Sequence, residues 1–303
     1  MKVTFRDHDG KGRILADALT DAGHDIVTGG GDIALIDADI PVPPYANVCD
    51  THKRVVVYPH GGGNPFAGKE WAPHPNTVCR LVPGPGQVDV LTACGYPAPV
   101  EVIGWPFSDR QPFRPCPNPV EVLFAPTHQL WHGFIHPDAF ESNRRTHDML
   151  AALPINLTVR YVESGGLGDI GITPVAGVTY RQAPMDVHDG IAAIAAADVV
   201  VAGEGTFPSL AMAQGCPTVM SAQIRPDDDH PLLGRVPADS WDLFREISRY
   251  PLDADNAHDA EALMDLLTDA CQDHPAAAMW RDRFVGAPFD PAAFVDLFET
   301  LTC

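Results

Sequence analysis

Asp198 to Pro217 reads DVVVAGEGTFPSLAMAQGCP, and the rest of the chain is arranged around it. Asp198 leads an unbroken apolar run, Val199-Val200-Val201-Ala202. A run without alternation fits a strand covered on both faces, as in a parallel sheet. Gly203-Glu204-Gly205-Thr206 follows as a turn. Phe207-Pro208-Ser209 then leads into a helix over Leu210-Ala211-Met212-Ala213, which Gly215 can end. Pro208 suits the first turn of that helix, where no backbone N–H partner is needed. After Pro217, Val219-Met220 starts another apolar strand. A glycine-rich turn before a helix aims free N–H groups and the helix dipole at one point, a ready site for phosphate. Thr206 and Ser209 add hydroxyl donors. Glu204 repels an unpaired phosphate but suits ribose or sugar hydroxyls. The stretch also reads as an ordinary β-α turn with two glycines, so the neighbouring stretches decide.

The same rhythm recurs upstream. Met1 to Phe5, His24 to Val27, Ile33 to Ile36, Val55 to Tyr58 and Val100 to Ile103 read as strands. Between the first two, Gly12 to Ala22 places Ile14, Leu15, Ala18, Leu19 and Ala22 on one helical face, and Gly23 stops it. Pro59 to Gln87, rich in Pro, Gly, Asn and His, reads as one long irregular and functional region. Pro112 to Pro119 (PFRPCPNP) is a stiff linker. Beyond it, Val120 to Ala125, Leu157 to Val162 and Val178 to Gln182 read as strands. Asp138 to Leu153 and Asp186 to Ala197 read as helices, the second capped by Asp186. Asn256 to Cys271, Pro275 to Phe284 and Pro291 to Leu301 predict three closing helices. Alternating strands and helices make this an α/β chain with parallel sheets. The expected units are residues 1–115, 116–285 and a C-terminal helix at 286–303.

At 303 residues and 45% hydrophobic, the chain is large enough for two cores. A net charge of -20 disfavours nucleic acid and acidic membrane surfaces. Arg144-Arg145 and Lys53-Arg54 are thin footprints for a nucleic acid. Seven cysteines without a CxxC pair argue against a zinc site or disulfide framework and make the cytoplasm the expected compartment. No signal peptide or membrane span is expected.

Four stretches, in order, carry a family resemblance. Tyr58 to Gly61 (YPHG) resembles the His-Gly loop of CDP-glycerol glycerophosphotransferases. Val102 to Asp109 (VIGWPFSD) resembles their G-[YW]-P-x-x-D stretch, and Val122 to His128 (VLFAPTH) the opening of their second domain. Asp198 to Pro217 resembles the donor-phosphate element of GT-B glycosyltransferases and of UDP-GlcNAc 2-epimerases. The resemblance implies the GT-B fold: two Rossmann-like domains facing across a cleft, with C-terminal helices packing back toward the first. It makes 1–115 the acceptor side and 116–285 the nucleotide-sugar side. Leu210 departs from the Glu that many retaining enzymes carry there, and His128-Gln129 replaces a basic residue, so donor and stereochemistry stay open.

Sugar transfer needs a base, a stabilised leaving diphosphate and aligned substrates. His60, whose type titrates near neutrality, is the first choice of base, beside Gly61, Gly62 and Gly63. Asp9 or Asp7 is the alternative base or an orienting partner of His8 in the first β-α loop. A loop histidine bonded within a turn is the competing reading of His60, and a solvated turn that of Asp9 and His8. His60 and Asp9 are thus the catalytic candidates, with His8, Gly61 and Gly62 on the acceptor side. Donor contacts are expected from Thr127, His128, Arg181, Gln182, Glu204, Gly205, Thr206 and Ser209. Strand ends line ligand crevices in open α/β sheets, and the resemblance puts Arg181-Gln182 near the nucleotide base. A His128/His132/His136 metal cluster is interrupted by Gly133 and Pro137, and Asp37-Ala38-Asp39 matches a metal-binding DxD only by coincidence. Trp105 and Trp131 suit either stacking on a ligand or a core.

The expected function is metal-independent, cofactor-free transfer from a nucleotide-diphosphate sugar, UDP-linked by preference, to a hydroxyl acceptor. Alternatives are polyol-phosphate transfer from a CDP-alcohol, a UDP-sugar 2-epimerase, a non-catalytic nucleotide-sugar sensor, or glucosylation of modified DNA bases.

Overall fold

Successive residues of a strand face opposite sides of a sheet, so a wholly apolar strand needs cover on both. The computed structural model describes residues 1–7, 12–37, 45–58, 74–93, 95–114, 116, 118–126, 137–162, 166–184, 186–203, 206–220, 260–272 and 274–302. Among them the apolar runs build two parallel sheets, each layered between helices.

The first sheet takes β1 (Lys2–Arg6), β2 (Asp25–Val27), β3 (Ile33–Ile36), β4 (Val55–Val57), β5 (Thr77–Val82) and β6 (Val100–Val102) in the order β2-β1-β3-β4-β5-β6. Every pairing is parallel. Helices α1 (Arg13–Asp21), α2 (Tyr45–Thr51) and α3 (Pro85–Ala93) lie between the strands in sequence. Along β3 the faces split as the period requires. Ile33 and Leu35 join Leu15 and Leu19 of α1, while Ala34 and Ile36 join Val48 and Cys49 of α2. The region from Pro59 to Gln87 is therefore not one irregular loop. It contains β5, which pairs with both β4 and β6, and the start of α3. Residues 59–73 lie outside the described ones.

The second sheet runs β11-β10-β7-β8-β9, again all parallel. Its strands are β7 (Glu121–Ala125), β8 (Asn156–Val162), β9 (Thr179–Ala183), β10 (Val199–Ala202) and β11 (Thr218–Met220). Helices α4 (Pro137–Ala151), α5 (Val187–Ala195) and α6 (Thr206–Ala213) alternate with them, and a short 3-10 helix spans Leu167–Ile170. Asp186 caps α5, its side chain accepting from the His188 amide at 2.9 Å. Val199 and Val201 pack with Leu150 of α4 on one face, whereas Val200 and Ala202 pack with Ile194 and Leu210 on the other. Val199, Val200 and Val201 are each fully buried, worth about 1.5–3 kcal/mol apiece.

Three helices close the chain: α7 (Ala260–Gln272), α8 (His274–Phe284) and α9 (Pro291–Thr302). Leu263 and Leu267 of α7 join the core of the second sheet. By contrast, Phe294 and Phe298 of α9 sit among Val3, Leu15, Leu35 and Val56, so the last helix completes the core of the first. The crossing back is a backbone contact: a Cβ on Gly286 would fall 1.9 Å from the Pro83 carbonyl oxygen. Trp105 is 1% exposed there, its amide bonded to Ala287 O at 2.8 Å and its ring edge-on to Phe107. That burial, among Leu123, Val200 and Leu210, makes it a core tryptophan of the second sheet and removes it as a platform for a ligand. Trp131 lies outside the described residues.

Candidate active site

In an open parallel sheet, ligands meet the loops leaving the carboxyl ends of strands. In the second sheet, Ala202 of β10 lies opposite Ala125 of β7, and the Gly203 amide bonds Ala125 O at 3.1 Å. Two of the segments that carry predicted donor residues therefore leave the same edge side by side. One continues through Pro126 toward Thr127 and His128. The other passes Glu204 and Gly205 into α6, which starts at Thr206. Thr127, His128, Glu204 and Gly205 themselves lie outside the described residues. Ser209, in the first turn of α6, is 1% exposed. Leu210, where many retaining enzymes carry Glu, is a core residue packed with Ile194 and Val200.

Next along this edge comes a charged cluster. Arg160 of β8 is buried and donates from Nε to Asp189 Oδ2 at 3.0 Å and from Nη2 to Pro184 O at 2.9 Å. Its Cζ lies 5.2 Å from the centre of the Phe207 ring, a cation–π distance. Asp189, in the first turn of α5, also accepts from Arg181 of β9 through its other oxygen. Arg181 is half-exposed, and Gln182 is exposed beside it. Two guanidiniums share one carboxylate, which leaves these three residues with one surplus positive charge beside the starts of α5 and α6. The Asp186 carboxylate caps the start of α5 in the same stretch. Sequence reasoning missed Arg160. Its signal was an arginine inside an otherwise strand-like run, LTVRYV.

The first sheet exposes a second carboxyl edge. Asp7, Asp37 and Tyr58 follow the adjacent strands β1, β3 and β4. Asp7 accepts from the Gly12 amide at 2.9 Å, holding the start of α1. Asp37 is 3% exposed, and Tyr58 donates to Arg6 O at 3.1 Å. In sequence, His8 and Asp9 come directly after Asp7, and His60, Gly61 and Gly62 shortly after Tyr58. All five residues lie outside the described ones, as do His128, His132 and His136. Among the described residues no group of three or more His, Cys, Asp or Glu is placed to hold a metal ion. None of their helices is long and apolar enough to cross a membrane.

No protein-family model matches the chain, and no curated protein matches it. Solved structures do. The glycosyltransferase SnogD from Streptomyces nogalater superposes with a TM-score of 0.52 at 15% identity, over 99% of this chain and 100% of that one. The spinosyn rhamnosyltransferase SpnG, complexed with thymidine diphosphate, gives 0.58 at 13% identity, over 98% and 99%. The wall teichoic acid polymerase TagF gives 0.53 at 10% identity, over 99% and 88%. At such identities the likeness concerns architecture. Two Rossmann-like lobes with parallel sheets, and a last helix returned to the first lobe, make this the GT-B fold.

Proposed function

We propose that this chain is a glycosyltransferase that moves a sugar from a nucleotide-diphosphate sugar, UDP-linked by preference, to a hydroxyl acceptor. The observation that supports it best is the shared exit of β7 and β10 beside the start of α6, next to the surplus charge of Arg160, Asp189 and Arg181. Backbone amides of the turn at Gly205 and Thr206 stabilise the leaving diphosphate, with Thr127, His128 and Ser209 as further donors. Arg181 and Gln182 flank the nucleotide base, and Glu204 accepts from ribose or sugar hydroxyls. On the acceptor side His60 removes the hydroxyl proton, with Asp9 as the alternative base and His8, Gly61 and Gly62 beside the substrate. The acceptor oxygen bonds to the anomeric carbon as the bond to diphosphate breaks, and the diphosphate keeps the electron pair. Turn amides and arginine charge stand in for a metal ion, and no cofactor takes part. The cytoplasm is the proposed compartment, which suits the five free thiols buried among the described residues. A nucleic-acid acceptor is disfavoured by charge.

The test is release of nucleoside diphosphate from UDP-, TDP-, GDP- and CDP-sugars, followed by mass spectrometry. Release by the wild type, reduced about 100-fold or more in His60→Ala, is expected of a lost general base. Binding without any release would instead mark a nucleotide-sugar sensor. A second reading, polyol-phosphate transfer from a CDP-alcohol, draws on the His-Gly and Gly-Trp-Pro stretches and on the shared fold of TagF. Activity with CDP-alcohols alone would favour it.

A further inference from the structure

Arg160 is 7% exposed and sits on β8, between β7 and β9. A buried guanidinium is costly to dehydrate unless its donors and faces are satisfied. Here the three partners come from three different elements. Pro184 follows β9, Asp189 opens α5, and Phe207 lies in the first turn of α6. Arginine, unlike lysine, offers a rigid fork and a flat face at once, and this arrangement uses both.

We propose that Arg160 is a positioning residue of the donor site. It fixes the segment proposed to meet the nucleotide base, residues 181–184, relative to the phosphate-side start of α6. The inference rests on the donor-site reading above and adds a residue to it. Direct packing supports the coupling. A Cβ on Gly190 of α5 would lie 3.1 Å from Leu210 Cδ2 and 3.4 Å from Phe207 Cε2, so the two first turns touch. A shift of Asp189 is thereby passed to α6. Arg160 does this from inside the sheet and need not touch the ligand.

Arg160→Lys, Arg160→Met and a core control in the same lobe, Ile194→Val, separate positioning from general stability. Each is titrated with UDP, TDP, CDP and GDP, and hydrogen exchange is mapped on the nucleotide-free proteins. Arg160→Lys should weaken nucleoside diphosphate binding about 10-fold or more, the size of one lost charge-assisted pair. Its exchange should rise at 183–190 and 206–210 while β7 and β10 stay protected. Ile194→Val should lower the melting temperature with neither effect. Wild-type affinity in Arg160→Lys, or exchange that rises evenly through the lobe, overturns the proposal. Should no nucleotide bind the wild type, the donor-site reading fails and the exchange pattern still judges Arg160. If both Arg160 variants fail to fold, Phe207→Leu keeps the charge pair, removes the stacked ring and is read the same way.

Discussion

Gly215 ends α6 at φ +67° and meets the linker so closely that a Cβ would fall 2.0 Å from the Pro112 carbonyl oxygen. The Arg114 amide bonds Gly215 O at 3.0 Å, and the Gln111 amide bonds Ala213 O at 2.8 Å. Arg114 also donates from its guanidinium to Ile194 and Ala195 carbonyls, the open end of α5. The proline-rich linker is thus seated on the helix ends of the second lobe.

That contact separates two glycines. Gly23 has φ +88° but open space where a Cβ would go. Gly23→Ala should cost only the left-handed penalty, about 1–2 kcal/mol. Gly215→Ala adds a clash with backbone and should lower the urea midpoint distinctly further. Equal losses would show that the linker does not rest on Gly215.

Leu210 gives a sharper test of its place in the fold. Leu210→Glu restores the residue type many retaining enzymes carry, yet the side chain points into a core with Ile194 and Val200. Burying an unpaired carboxylate costs several kcal/mol. Loss of cooperative unfolding by circular dichroism is expected. A variant as stable as the wild type would mean that position 210 faces the ligand.

Much of this was legible in the sequence. The runs at Ile33–Ile36 and Val199–Ala202 are wholly apolar and rich in β-branched residues, which fits a strand covered on both faces in a parallel sheet. Asp186 announced its helix by residue type. The strand Thr77–Val82 was hidden because Arg80 breaks its apolar run and prolines and glycines surround it. Helix Tyr45–Thr51 has too few turns to show a period. Arg160 was missed for another reason: its partner Asp189 is 29 residues away, and only the return of the chain from β9 into α5 brings them together. Periodicity tells which face is buried, never what lies against it.

The cap of α5 is a local prediction. Asp186→Ala leaves the His188 amide without its acceptor and should cost about 1 kcal/mol in urea denaturation. Asp186→Asn, an equally good cap, should recover most of it. Equal stability of the two variants would show that Asp186 does not cap α5.

Buried thiols set an alkaline limit. Burial pushes Cys216 up to about 12 from an ordinary value near 9. Above pH 9 the unfolded thiol loses its proton while the folded one keeps it. The folded state then binds more protons, so stability falls as pH rises from about 9 toward 12, by up to ~1.4 kcal/mol per pH unit for that thiol. Cys216→Ala should flatten the fall between pH 9 and 10.5 relative to wild type. Parallel curves would contradict the burial of an ionisable thiol there.

The carboxyl edge of the second sheet, at β7, β10 and α6, is proposed to grip a pyrophosphate. Isothermal titration of the whole chain with UDP, TDP, CDP and GDP, and with uridine as the phosphate-free control, tests it most directly. At least one diphosphate should bind with a Kd of about 1 mM or tighter, a free energy of roughly -4 kcal/mol, and uridine far more weakly. Silence from all four diphosphates, or uridine binding as well as UDP, would contradict it.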